Sequence, residues 1–225
     1  GVACATGGPV LALMQSMATA GASFTSPWSI RYRTPENEND SFELVGGETG
    51  KVLQFREALR AVQYLTLEDR RPSFGGIARR GVHRKATELL VRDKVAGLAR
   101  YALRCIQAGA VPTRNRLFRA NKADSKSCPS CPCECEDWEH IVDHCPAYEG
   151  IRTREMSEVE WRALPNCLRL HGLMPVQMQV EEVPARYRGE QHVVLAVDVQ
   201  YCLLDILTKR DELLAGQHQG HGGRS

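Results

Sequence analysis

The segment that organises this chain reads Cys128-Pro-Ser-Cys131-Pro-Cys-Glu-Cys-Glu-Asp-Trp-Glu-His140-Ile-Val-Asp-His-Cys145. It holds five of the nine cysteines in the 225-residue chain, and we call it the cysteine segment. Thiolates clustered in this way are typical of metal ligands in a reducing compartment, whereas secreted proteins pair dispersed cysteines in disulfides. The sequence therefore predicts an intracellular protein, nuclear or cytoplasmic, with a metal site in this segment.

The ligand spacing favours a single zinc ion. Cys128 and Cys131 form a C-x2-C turn, and His140 and Cys145 follow at C-x8-H-x4-C. Three thiolates and one imidazole complete a tetrahedral Cys3His site, and the last two ligands lie on a helix-compatible stretch. Four protein ligands leave no open position for a reacting water, so we expect a structural Zn²⁺ site rather than a metal hydrolase.

Three neighbouring side chains leave the choice of ligands open. Cys133 and Cys135 are either spare thiols in a proline-rich turn or replacements for one of the four ligands. His144 comes four residues after His140, on the same helical face, so a His140/His144 pair is also chemically feasible.

The charge upstream of the cysteine segment predicts a nucleic-acid partner. Residues 51–126 carry 18 basic and 6 acidic residues, a net charge of +12, whereas residues 1–50 and 127–225 carry −3 and −7. A block of this charge can neutralise RNA or DNA phosphates, although arginines that only solvate helix faces give the same count. The candidate phosphate contacts flank the cysteine segment: Arg114, Arg116, Arg119, Lys122, Lys126 and Arg152. Arg152 could equally pair with Glu149 or Glu155, and Trp138 or Tyr148 could stack on a base or cover the metal.

Apolar residues recur at helical spacing through most of the chain, which predicts a mainly α fold. Helices are expected over about 9–20, 51–67, 83–107, 166–171 and 191–214. Five regions follow: an N-terminal helix with a loop or hairpin (1–50), a basic helical region (51–126), an inserted zinc knuckle (127–152), an acidic helical region (153–215) and a tail (216–225). The tail has no apolar residue apart from the glycines, so we expect it to be disordered.

Residues 115–152 resemble a known protein family in more than the spacing of their cysteines and histidine. Asn115-Arg-Leu-Phe-Arg119 before the C-x2-C turn, then Glu136-Asp-Trp-Glu-His140, Cys145-Pro146 and Arg152, are similar to the zinc-knuckle segment downstream of the reverse transcriptase domain in non-LTR (LINE-type) retrotransposon polyproteins. The resemblance implies an accessory module that grips RNA or an RNA/DNA hybrid beside a reverse transcriptase, with the rest of the polyprotein as a partner. Asp137 departs from that pattern, in which a threonine is usual.

No catalytic residue is predicted in this segment. The sequence has no Tyr- or Phe-x-Asp-Asp polymerase box and no ribonuclease H opening of Asp-Gly with spaced carboxylates. Gly1 and the small residues after it suggest a piece of a longer chain, and no leader or apolar run of membrane-spanning length is apparent. The competing hypothesis is a protein-interaction module in which zinc only stabilises helices that dock on another protein.

Overall fold

The computed structural model describes residues 15, 17–18, 22–26, 29–32, 40–43, 49–189 and 192–220. The described chain is mainly helical, which confirms the predicted fold class. It forms two compact units, Gly1–Gly81 and Val82–Ser225. The boundary falls inside the predicted basic region 51–126, so the basic residues of that region are shared between the two units.

The first unit contains a small antiparallel sheet. Its strands are β1 (Ser23–Ser26), β2 (Ser29–Tyr32) and β3 (Asp40–Glu43), in the order β1-β2-β3, so a sheet occupies the stretch for which a loop or hairpin was expected. Ile30 on β2 is buried with Met17 and Ala22. Residues 15, 17 and 18 are helical, and the remainder of the helix predicted at 9–20 lies outside the described residues.

One long helix dominates the rest of this unit. Helix α1 spans Thr49–Arg70, slightly longer than the predicted 51–67, and it ends just before Pro72, which cannot continue a helix. A 3₁₀ turn (Pro72–Phe74) and the short helix α2 (Ile77–Arg80) follow. The backbone N–H of Ala78 donates to Glu68 Oε1 at 2.8 Å, which ties α2 back to the end of α1.

The second unit begins with a helix that is broken where one continuous helix was predicted. Residues 83–107 form α3 (Arg84–Leu89), a π-helical turn (Leu90–Lys94) and α4 (Gly97–Gln107). The prediction of a single helix is wrong because the backbone becomes extended at Val95 (φ −120°, ψ 151°) and Gly97 adopts a φ of +54°. Positive φ is inexpensive for glycine, so Gly97 permits the break between the two segments.

The remaining helices are short except for the last. They are α5 (Arg114–Arg119), α6 (Glu149–Arg152), α7 (Glu158–Ala163), α8 (Asn166–His171) and α9 (His192–Gly220). Helix α8 has the predicted bounds and ends at Gly172 in the left-handed conformation, as a glycine C-cap predicts. Helix α9 continues to Gly220, where the sequence predicted disorder from Gly216, because extending an existing helix avoids the cost of nucleation. Residues 221–225 lie outside the described residues.

Helix α9 is the centre of the core in the second unit. It packs against α3, α4, α6 and α8 and buries Leu195, Val199, Leu203 and Ile206. The cysteine segment contributes to the same hydrophobic cluster through Ile141, Val142 and Cys145. The cysteine segment, for which an inserted zinc knuckle was expected, is therefore continuous with the core of this unit.

Candidate metal centre

Backbone hydrogen bonds fold the cysteine segment into a compact hairpin followed by a helical turn. The N–H of Cys128 donates to the carbonyl of Cys133 at 2.9 Å, and the N–H of Glu136 donates to the carbonyl of Lys126 at 2.7 Å. Asp137 Oδ1 accepts the N–H of His140 at 2.8 Å, so its side chain caps the turn that carries this histidine. The π-helical turn spans His140–His144, and the N–H of Cys145 closes it on the carbonyl of His140.

The four predicted ligands converge on one point. Ligand atoms of Cys128, Cys131, His140 and Cys145 all lie within 4.8 Å of one another. Cys128 Sγ is 3.9 Å from Cys145 Sγ, and Cys131 Sγ is 3.3 Å from His140 Nε2. Tetrahedral zinc with bonds of about 2.3 Å to sulfur and 2.0 Å to nitrogen would separate its ligand atoms by about 3.5–3.8 Å. The spacing of the cluster therefore has the size required for a single metal ion.

Two Cys-Pro turns present their sulfurs in the same way. The N–H of Ser130, two residues after Cys128, donates to Cys128 Sγ at 3.4 Å. In the Cys145-Pro146-Ala147 turn, the backbone of Ala147 forms the equivalent hydrogen bond to Cys145. An N–H donor stabilises a thiolate, so both turns favour the form of cysteine that ligates metal.

Burial disfavours the thiolate form of the candidate cysteine ligands unless a cation is present. Cys145 is 0% exposed, and desolvation raises the pKa of its thiol to about 12. Desolvation also raises the pKa of Cys128. The same effect lowers the pKa of His140, which keeps the imidazole neutral and available as a ligand. A divalent ion would supply the charge that stabilises the buried thiolates.

The alternative ligands lie apart from this cluster. His144 is exposed and groups with Glu139 and Asp143. Asp143 is already engaged, because its carboxylate accepts the indole N–H of Trp161 at 3.2 Å and pairs with Arg169 at 3.3 Å. Cys133 and Cys135 are half-buried, and Cys133 Sγ lies 3.4 Å from the carbonyl oxygen of Cys135.

Arg152 supports the metal centre from inside the protein. It is 4% exposed, and its Nη1 donates to the carbonyl oxygen of Cys145 at 2.9 Å. Its Nε lies 3.6 Å from Glu158 Oε2. The prediction of Arg152 as a phosphate contact is therefore wrong, and its partner is Glu158 rather than Glu149 or Glu155. Groups just outside a metal site usually orient the ligand residues, and Arg152 can do so through the main-chain carbonyl of Cys145.

The two candidate stacking residues are also used internally. Tyr148 is fully buried, and its hydroxyl lies 3.1 Å from Ser130 Oγ, so it covers the Cys128 turn. Trp138 is half-buried, and its indole N–H donates to the carbonyl of Leu170 at 2.6 Å. Both aromatic rings pack the cysteine segment against the core, which is the alternative that the sequence had left open.

The other candidate phosphate contacts lie on α5 and the loop after it. Arg116, Arg119, Lys122 and Lys126 are exposed, and Arg114 is half-buried. We call residues 114–126 the basic stretch. Arg116 Nη1 donates to the carbonyl of Val111 at 3.2 Å, which leaves most of its guanidinium available to solvent. In the part of the chain that the structure describes, none of the four exposed cations forms an ion pair with a carboxylate.

A buried ion pair joins the basic stretch to the cysteine segment and α9. Glu136 and Arg210 are 0% and 2% exposed, with Arg210 Nη2 2.7 Å from Glu136 Oε1. The same oxygen accepts the N–H of Arg114 at 2.8 Å, and the carbonyl of Glu136 accepts the N–H of Asn115. The sequence pattern did not predict this pair. The available signal was a lone arginine on the apolar stripe of α9, three residues after Leu207.

Comparisons of this chain with protein-family models, with curated proteins and with solved structures found no match. The likeness to retrotransposon polyproteins thus rests on the residues quoted above. Among the described residues, no helix is both long enough and apolar enough to cross a membrane.

Proposed function

We propose that the second unit is a zinc-stapled nucleic-acid-binding module. In this proposal Zn²⁺ is held by Cys128, Cys131, His140 and Cys145, and it orders the turns that carry them. Three thiolates with one imidazole in a tetrahedral arrangement suit zinc, and four protein ligands give the ion a structural role. The exposed cations of the basic stretch would bind the phosphate backbone.

The observation that carries this proposal is the group of four exposed, carboxylate-free cations directly ahead of the first metal ligand. They lie within residues 116–126, and Glu136 anchors the start of α5 to the cysteine segment through two backbone N–H groups. Cations that have no carboxylate partner cost little to bring against phosphate, and each contact releases a condensed counterion. A metal-ordered segment next to them would hold these charges in a reproducible arrangement.

The resemblance to LINE-type polyproteins extends the proposal to a biological setting. A module of this kind would grip RNA or an RNA/DNA hybrid beside the reverse transcriptase of the same polyprotein. The acidic region after residue 152 would then face protein rather than nucleic acid, since carboxylates repel phosphate.

A salt series on charge-matched variants tests the phosphate contacts. Changing Arg116, Arg119 and Lys122 together to Gln should reduce the magnitude of the log–log salt slope by about 2 to 3, because each lost contact removes about 0.7 to 0.9. The binding of RNA and DNA should weaken alike, and the zinc content by native mass spectrometry should remain one ion per chain. Filter binding across a range of salt concentrations gives the slope.

The matched control changes Arg162, Arg188 and Lys209 to Gln, which removes the same charge from exposed positions in the acidic region. This control should leave the slope unchanged. An equal effect of both triple variants would show that only overall charge matters. A parent protein that binds neither RNA nor DNA at low salt would favour the protein-interaction module instead.

A further inference from the structure

An exposed aromatic ring lies among the unpaired cations of the basic stretch. Phe118, on α5, is 43% exposed, and Arg119 follows it directly. Phenylalanine has no polar atom that gains from water, so exposure of this size leaves apolar surface without a partner.

The end of α5 places a further cation near this ring by a specific backbone turn. Asn121 adopts a φ of +54°, and the N–H of Lys122 donates to the carbonyl of Leu117 at 2.8 Å. The N–H of Asn121 also donates to the carbonyl of Phe118 at 3.0 Å. This pattern is a helix C-cap with a left-handed residue, and it turns the chain back over the last turn of the helix. Lys122 is therefore held close to the helix end that carries Phe118.

The other aromatic rings near the metal centre have internal roles. Tyr148 is buried against the Cys128 turn, and Trp138 is held by the carbonyl of Leu170. Phe118 thus carries the exposed ring of the basic stretch and has no competing polar interaction. This division of roles separates the rings that pack the metal site from the ring that faces solvent.

From these observations we infer that Phe118 is a base-stacking residue and that the module binds single-stranded nucleic acid. A ring flanked by unpaired cations combines the two elements that single strands require, a surface for the face of a base and positive charge for the backbone. In a continuous duplex the faces of the bases are covered by their neighbours, so an exposed ring gains little there. The inference rests on the proposed function and specifies the substrate class of the same surface.

Substitution of Phe118 tests this role. Phe118→Ala should weaken binding to oligo(U) and oligo(dT) by about 5- to 150-fold, the range measured when one stacked aromatic is removed. The salt slope should not change, because no charge is lost. Binding to a duplex with the same number of phosphates should also be unaffected. Phe118→Trp should restore single-strand affinity, and its added fluorescence should be quenched when oligo(dT) binds.

Tyr201 provides a matched control. It is 41% exposed and lies on α9 within the acidic region, so Tyr201→Ala removes a ring of similar exposure from a different surface. This variant should bind single strands as well as the parent. The zinc content and far-UV circular dichroism of all three variants should match those of the parent, which excludes a loss of folding.

The outcomes distinguish this inference from the proposed function. If the parent binds single strands with a salt slope that the triple Gln variant flattens, but Phe118→Ala binds equally well, the stacking inference is wrong and the proposed function stands. If Phe118→Ala weakens duplex binding as much as single-strand binding, stacking is also excluded. If polyglutamate binds as tightly as oligo(dT) and Phe118→Ala weakens both, the surface is a site for acidic protein segments. A parent that binds no nucleic acid overturns both proposals.

Discussion

At the scale of single residues, the cysteines differ sharply in what they contact. Cys145 is fully buried and belongs to the ligand cluster, whereas Cys133 and Cys135 are half-buried in the turn between the two ligand pairs. We therefore expect Cys145→Ser to lower zinc affinity by more than about 100-fold, because even residues that only orient a ligand contribute 10- to 100-fold. Competition for zinc with a chromophoric chelator measures this change.

The Cys133→Ala/Cys135→Ala double variant is the control for that experiment. It removes two thiols from the same turn but none from the cluster, so its zinc affinity should stay close to that of the parent. A loss comparable with that of Cys145→Ser would mean that the ligand set includes one of these two residues.

The four candidate ligands come together as the sequence predicted because their spacing along the chain favours it. The four metal ligands occupy a stretch of 18 residues, so local spacing nearly defines their geometry. Arg152 and Tyr148 are different, because charge and ring chemistry are the same for a surface contact and a buried support. Only tertiary packing distinguishes the two roles, and in both cases it selected the buried one.

At the scale of structural elements, Glu136 connects three of them. Its carboxylate binds Arg210 on α9, and it also accepts a backbone N–H from the start of α5. Arg210→Ala should lower the free energy of unfolding by about 3–5 kcal/mol, since it leaves Glu136 buried without a countercharge. Urea denaturation measures the change.

The double variant Glu136→Gln/Arg210→Met tests whether the uncompensated charge is the cause. A neutral pair of similar volume avoids a buried carboxylate, so the double variant should recover much of the loss. If it is no more stable than Arg210→Ala, the effect comes from packing of the arginine side chain and not from charge.

The helix boundaries show which features of the fold a sequence pattern can predict. Both ends of helix α8 were predicted to the residue, because Pro165 directly precedes the helix and Gly172 directly follows it. The 83–107 stretch was not, since its apolar residues keep helical spacing across the break at Val95. Periodicity records which side faces the core, and it does not reveal the two extended residues, Val95 and Ala96, between the helical segments.

At the scale of the whole second unit, the candidate metal-ligand cluster is continuous with the hydrophobic core. Ile141, Val142 and Cys145 share a cluster with the buried face of α9. Chelation of zinc should therefore speed amide hydrogen exchange in α9 as well as in residues 128–145, because loss of the ordered segment uncovers that face. Hydrogen exchange read by mass spectrometry resolves both regions.

Helix α1 in the first unit is the internal reference for that measurement. It belongs to a separate compact unit, so its exchange should not depend on zinc. Faster exchange confined to residues 128–145, with α9 unchanged, would show that the core of the second unit persists without the metal.

The candidate metal ligands are close together in the sequence, whereas Glu136 and Arg210 are far apart. This difference has a consequence for synthesis on the ribosome. Cys128 and Cys145 are separated by 17 positions, whereas Glu136 and Arg210 are separated by 74. The metal ligands close a short loop, and short loops lose little entropy on closure. They can therefore assemble as soon as Cys145 has emerged, while α9 has yet to be translated. With zinc bound as proposed, the nascent protein would hold an ordered turn in which the Glu136 carboxylate has no countercharge, until translation of α9 supplies Arg210.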